Sequence, residues 1–150
     1  MSVLAWNYGK FETCESENGA PKTPVAWKVI PPPKKDTLIV EPKEGETTEA
    51  QDETGYIVDS KTTPTTYELS WEMFVKKGEN PPFVDKDGVI AGEHAFRFTP
   101  DDPGCKGWII DSAKVSATIR FKVTEGALYK YKAKVLKPKT GNAFKLDVIS

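Results

Sequence analysis

Imidazole and thiol are scarce in this chain. It holds one histidine, His94, and two cysteines, Cys14 and Cys105, among 150 residues. A zinc site draws on about four Cys, His or carboxylate ligands at short spacing, and neither CxxC nor HxxxH occurs. A Ser-His-Asp or Cys-His device would have to run through His94, and there is no GxSxG elbow. The inventory points away from an enzyme and calls for no metal and no cofactor. Long apolar runs are missing too. Nothing approaches the roughly 20 residues that cross a bilayer as a helix, so no membrane is expected. Residues 1–8 have neither the basic start nor the apolar stretch of a signal peptide. Net charge is also small, at −1, which excludes a wholly basic nucleic-acid binder.

What is present fits one folded domain over residues 1–150. Aromatic residues make up 11% of the chain, too many for a disordered one. A chain this long buries roughly 68–70% of its unfolded surface without a disulfide or metal staple. Twelve prolines and eleven glycines interrupt nearly every stretch long enough for a helix. Between them lie short alternating runs. Tyr67, Leu69, Trp71, Met73 and Val75 share one face, against Glu68, Ser70 and Glu72. Phe96 and Phe98 face away from Arg97. From 114 to 123, Val115, Ala117, Ile119, Phe121 and Val123 alternate with Ser116, Thr118, Arg120 and Lys122. After Thr124-Glu-Gly-Ala127, the residues Tyr129, Tyr131, Ala133 and Val135 alternate with Lys130, Lys132 and Lys134. Period-two runs joined by a short glycine-containing loop predict an antiparallel hairpin. A last strand over 143–149 would complete a three-strand meander.

Earlier in the chain, strands are expected over 4–11, 27–30 and 37–41, and residues 46–51 and 56–59 flank a loop tip at Asp52-Glu-Thr-Gly55. Residues 75–90 have room for one short helix at most, because Pro81 and Pro82 limit it. The expected fold class is all-β, an antiparallel sandwich or distorted barrel. Its expected core includes Leu69, Trp71, Phe96, Phe98, Phe121, Tyr129 and Tyr131.

Other features are ordinary. In Asp85-Lys-Asp-Gly88, a calcium-loop alignment puts Phe83 and His94 where acidic ligands are required, so the segment reads as a turn. Without an export signal, Cys14 and Cys105 are expected as reduced thiols.

Charge is unevenly spread. Glu41, Glu44, Glu46, Glu49, Asp52, Glu53 and Asp59 lie in one stretch with only Lys43 among them. Lys114, Arg120, Lys122, Lys130, Lys132, Lys134, Lys137, Lys139 and Lys145 lie in another. Solvated strand faces that discourage aggregation account for such a pattern. So does self-complementarity, with the acidic arm of one copy against the basic sheet of the next. A nucleic-acid platform fits poorly, because Tyr129 and Tyr131 fall on the face opposite the lysines.

The second half resembles the major tail tube protein of long-tailed bacteriophages. The residues that carry this are Tyr67-Glu-Leu-Ser-Trp-Glu-Met-Phe-Val75, Asp85-Lys-Asp-Gly-Val89, Phe96-Arg-Phe-Thr-Pro-Asp-Asp-Pro103 and Lys106-Gly-Trp-Ile-Ile-Asp111. Val115-Ser116, Glu125-Gly-Ala-Leu-Tyr-Lys-Tyr131 and Leu136-Lys-Pro138 continue it, and Asp36-Thr-Leu-Ile-Val-Glu41 with the acidic tip at Gly55 precedes it. It spans roughly 36–149; residues 1–35 are left as N-terminal strands and a Pro-rich segment. The resemblance implies two sheets in a sandwich-like barrel with a flanking helix. It implies a structural subunit of a phage or prophage tail, made in the bacterial host cytoplasm. Its partners would be itself, in hexameric rings joined at sheet edges, and other tail proteins. DNA would pass through the stacked rings without specific binding.

On that reading the subunit or ring-stacking interface draws on Glu46, Glu49, Asp52, Glu53, Tyr56, Lys130, Lys132 and Lys134. The lysine face should not line the lumen, since wall lysines would hold phosphates. Two other classes compete. A monomeric β-sandwich binding module, for carbohydrate or a protein ligand, would use Trp71, Trp108 or Tyr129 as an exposed platform. An enzyme with a carboxylate site would draw on Asp101, Asp102 or Asp111.

Overall fold

In a computed structural model, residues 8–102 and 104–147 are described. Among them the regular elements are all strands, paired antiparallel, and there is no helix. The architecture is one curled sheet, a half-barrel, with a small two-stranded sheet beside it. The all-β expectation holds. The segment with room for a helix carries two short strands, β8 (Asp85–Lys86) and β9 (Val89–Ile90), among turns. The flanking helix that the resemblance implied is not found among the described residues.

The organising strand is β11 (Gly107–Lys122), sixteen residues long. Its first half pairs with β10 (Glu93–Thr99) on one edge and with β13 (Lys145–Asp147) on the other. Its second half pairs with β12 (Gly126–Val135). The sheet continues beyond β10 to β1 (Lys10–Glu17) and β2 (Ala20–Pro21), with β3 (Lys28–Val29) also on β1. Beyond β12 it continues to β7 (Thr66–Phe74) and β4 (Ile39–Lys43).

Three expectations need correction here. The last strand lies beside the start of β11, not beside β12, so it does not complete a meander with the hairpin; β7 takes that place, and the meander present is β10–β11–β12. The first described strand runs from Lys10 to Glu17, so residues 8 and 9 of the expected 4–11 are not in it and the strand runs on past 11; residues 4–7 of that expectation fall outside the described residues. The third correction concerns Phe121, expected in the core and found 70% exposed.

Alternation is out of phase within β11, with Trp108 and Ile110 even and Ala113, Val115 and Ala117 odd. A bulge explains this. His94 faces Ala113 and Phe96 faces Ile110, so the β11 side holds one residue more than β10 between these pairs. The extra residue returns the apolar side chains to the same face. That face holds an aromatic cluster. Trp71 stacks on Tyr131 at 5.1 Å and meets Phe11 edge-on at 5.1 Å. Leu69, Phe96, Ile110, Ala113 and Ala133 are buried around them. Phe98 and Tyr129 are partly buried against this core. On the opposite face near β1, Arg97 binds buried Glu12 at 2.9 Å and lies 4.5 Å from the Trp27 ring centroid.

Cover over the inner face ends at Ala117. The β8–β9 turn approaches β11 there, where Ala117 donates its backbone N–H to the Gly88 carbonyl at 2.9 Å. A Cβ on Gly88 would stand 2.7 Å from the Ala117 oxygen, and its φ of +88° also favours glycine. Phe83 and Ile90 plug the space behind the turn. Past it, Thr118 to Lys122 run on with β12 along one edge and no strand on the other among the described residues. Phe121 is therefore uncovered, although its alternation places it on the inner face.

Candidate assembly interface

The acidic stretch forms an arm between β4 and β7. Strands β5 (Thr47–Gln51) and β6 (Ile57–Thr62) pair only with each other, and every residue of both is exposed. At its base, Glu46 and Thr63 exchange hydrogen bonds. The Glu46 N–H donates to Thr63 Oγ1 at 2.8 Å, and the Thr63 N–H to the Glu46 carbonyl at 3.0 Å. Gly45 permits this closeness, since a Cβ would fall 1.8 Å from the Thr63 carbonyl oxygen.

The tip is tied by Asp52. Its Oδ1 accepts from the Thr54 N–H at 2.9 Å, the Thr54 hydroxyl at 2.5 Å and the Tyr56 N–H at 3.2 Å. The Thr54 hydroxyl bond first, with the backbone bonds of Tyr56, Thr54 and Gly55, holds the Asp52 carboxyl below its ordinary pKa. Asp52 thus shapes the tip, while Glu46, Glu49 and Glu53 are exposed charges. Beside the acids the arm shows Tyr56, Ile57 and Val58 at 74%, 56% and 65% exposure.

The lysine face is on the solvent side of β12, where Lys130, Lys132 and Lys134 are exposed. It is less basic than the linear sequence suggests. Register sets Lys130 opposite Glu72 and Lys134 opposite Glu68, with Glu41 next to Glu68 on β4. Lys132 faces Ser70 and Ser116. The arm and this face are separate surfaces of one chain, and no described contact joins the arm residues to these lysines.

A third surface was not among the sequence candidates. At the far end of the β11–β12 hairpin, Ile119, Phe121 and Val123 are 59%, 70% and 92% exposed, with Val75 nearby just past β7; Phe74, in register with Leu128 and Arg120, is on the opposite face. Arg120 binds Glu125 at 3.5 Å, Lys34 binds the same carboxylate at 3.6 Å, and the Lys34 amine lies 5.9 Å from the Phe74 ring centroid. The sequence carried only part of the signal, the apolar alternation that runs on to Val123; the contact at Ala117 where the β8–β9 turn stops is a tertiary feature.

The competing sites look different. Trp71 is 1% exposed, so it offers no platform; Trp108 and Tyr129 are half-buried. Asp111 is buried and paired with Lys145. Among the described residues, no three His, Cys, Asp or Glu side chains gather as a metal set. A cavity of about 470 Å³ is lined by Cys14, Glu15, Lys22, Pro24, Phe83 and His94. Cys14 and Cys105 are not joined in a disulfide. Burial pushes the Cys14 thiol up to about 11, which leaves it protonated and unreactive near neutral pH. Burial also pushes His94 below its ordinary 6.5, while its ring meets Phe83 edge-on at 4.9 Å and its Nε2 lies 3.2 Å from the Ala91 carbonyl.

A half-barrel with an arm projecting between β4 and β7 is therefore the class of fold to compare. No protein-family model and no curated protein matches the chain. Solved structures do. One similar chain is in the cryo-EM structure of the sheath/tube terminator, in the extended state, of PVC, an extracellular contractile injection system. It has a TM-score of 0.55 and 14% identity over 99% of this chain and 98% of that one. Another is in the extended PVC sheath–tube complex, with a TM-score of 0.53 and 14% identity over 99% of each chain. The likeness is one of fold, and it runs essentially end to end.

Proposed function

We propose that the chain is a non-enzymatic structural subunit of a tail tube, in a phage, a prophage or a related injection apparatus. The observation that carries this is the full-length fold likeness to chains of an injection-system sheath–tube assembly. Copies join at sheet edges into rings, and rings stack into a conduit. The expected ring is hexameric, and DNA passes without specific binding. Open edges support this. Among the described residues, β4 ends the sheet with Pro42 in it, and β11 past Ala117 has one unpaired edge. Unpaired backbone groups at such edges invite a strand from a neighbour.

The arm, through Glu46, Glu49, Glu53 and Tyr56, contacts a neighbouring copy or the next ring, with Asp52 holding its tip. The face of Lys130, Lys132 and Lys134 lies away from the lumen or is neutralised. Glu68 and Glu72, beside it in register, supply part of that neutralisation. The test is mass by light scattering over a concentration series, with electron microscopy of the product. Rings or tubes are expected from the native chain. A chain that stays monomeric at every concentration overturns the assignment. Changing Glu46, Glu49 and Glu53 together to Lys, with Asp52 kept, should abolish rings or their stacking; intact stacked rings would remove the arm from the interface.

A further inference from the structure

The arm and the hairpin end share an anomaly. Each exposes large apolar side chains that the described residues leave uncovered. A two-stranded hairpin alone in water is marginally stable, so an arm of two exposed strands calls for a surface to lie against. Contiguous exposed apolar residues, in turn, mark places where something binds. Phe121, Ile119, Val123 and Val75 form such a patch, beside a strand edge that no described strand pairs with. The occupant of that place is best a strand, because a strand gives the edge its hydrogen bonds and the patch its cover.

Charge selects which strand. Residues 114–125 carry Lys114, Arg120 and Lys122 against one acid, Glu125, which Arg120 and Lys34 both bind, and Lys76 and Lys77 follow Val75. The arm has the opposite sign, with six acids against Lys43 and Lys61 over 43–61, and it carries apolar residues as well. Opposite potentials steer the encounter, and apolar contact holds it.

We infer that the strip of Ile119, Phe121, Val123 and Val75 receives the arm of a second copy of this chain, burying Tyr56, Ile57 and Val58. The inference rests on the reading of the chain as a self-assembling subunit. It makes the apolar strip the receptor and leaves the lysine face, on the other side of the sheet, out of this contact. The contact is heterologous, since arm and strip are different surfaces. Repetition closes a ring or builds an open string.

Disulfide trapping tests the pairing. In full-length chains with Cys105 changed to Ser, Val58→Cys in one copy is mixed with Ile119→Cys or Lys132→Cys in another. All three positions are exposed, and circular dichroism checks that each variant is folded. The expected result is a mixed disulfide between positions 58 and 119, and little with 132. Capture at 132 and not at 119 overturns the strip as receptor. No capture at either position, while the native chain assembles, overturns the arm–strip contact and leaves the tail-subunit reading standing. A native chain that never assembles overturns both. As a second measure, Phe121→Ser should weaken association at least tenfold while leaving the melting temperature unchanged. Unaltered association would remove the strip.

Discussion

Residues 107–117 and 118–122 of β11 belong to one strand and carry comparable apolar side chains, yet only the first stretch is covered. Ile110, Ala113, Val115 and Ala117 are buried in one cluster with Trp71, Phe83, Phe96 and Tyr131. Ile119 and Phe121 stand in water. The difference comes from a plug, not from the strand. The β8–β9 turn, with Phe83 in the core nearby, reaches as far as Ala117, where Gly88 allows the approach, and among the described residues no strand pairs with that edge further on. A side chain's energetic role is thus set by what lies above it, and equal alternation can serve a core at one end and a contact surface at the other.

The largest expected effect is in the covered half. Trp71→Ala removes the central ring of the cluster and should cost about 3–5 kcal/mol in denaturant unfolding. A loss below ~1 kcal/mol would show that the cover is not a packed core. A smaller effect is expected at its rim, where His94 faces Ala113 and touches Phe83. Its folded pKa lies below 6.5 because burial disfavours the charged ring. The unfolded chain then takes up the proton first. The neutral ring's contribution is therefore full above pH 6.5 and is lost as pH falls from there through the folded pKa. Urea midpoints measured across that range should fall toward acid, and the part due to this group should vanish in His94→Asn. The smallest effect on folding is expected in the uncovered half. Phe121→Ser should change stability by no more than about 0.5 kcal/mol. A cost like that of Trp71→Ala would mean that something covers Phe121 in the single chain after all.

Much of the fold was legible because a strand's period of two is written locally. The runs around Trp71, Phe96 and Tyr131 gave strands close to the observed bounds, and Leu69, Trp71, Phe96 and Tyr131 are buried. The arm was legible too, since Asp52-Glu-Thr-Gly55 is a turn with its own side-chain caps. Its acids and Tyr56 are exposed. Less could be read where distant segments decide. Lys130 and Lys134 looked like an unbroken basic face until register brought Glu72 and Glu68 beside them from β7. Asp52 looked like one more interface acid, and its three bonds at the tip make it a structural residue.

By itself the sequence determined an all-β chain with little imidazole or thiol for chemistry and with two segments of opposite charge. Composition and period two suffice for that, because both act over a few neighbouring residues. The tertiary structure decided the partner of β13, the bulge that rephases β11 and the charges that share the lysine face. It also decided where cover ends, leaving Phe121 exposed. Those depend on segments tens of residues apart meeting in space, and no local pattern encodes the reach of a plug.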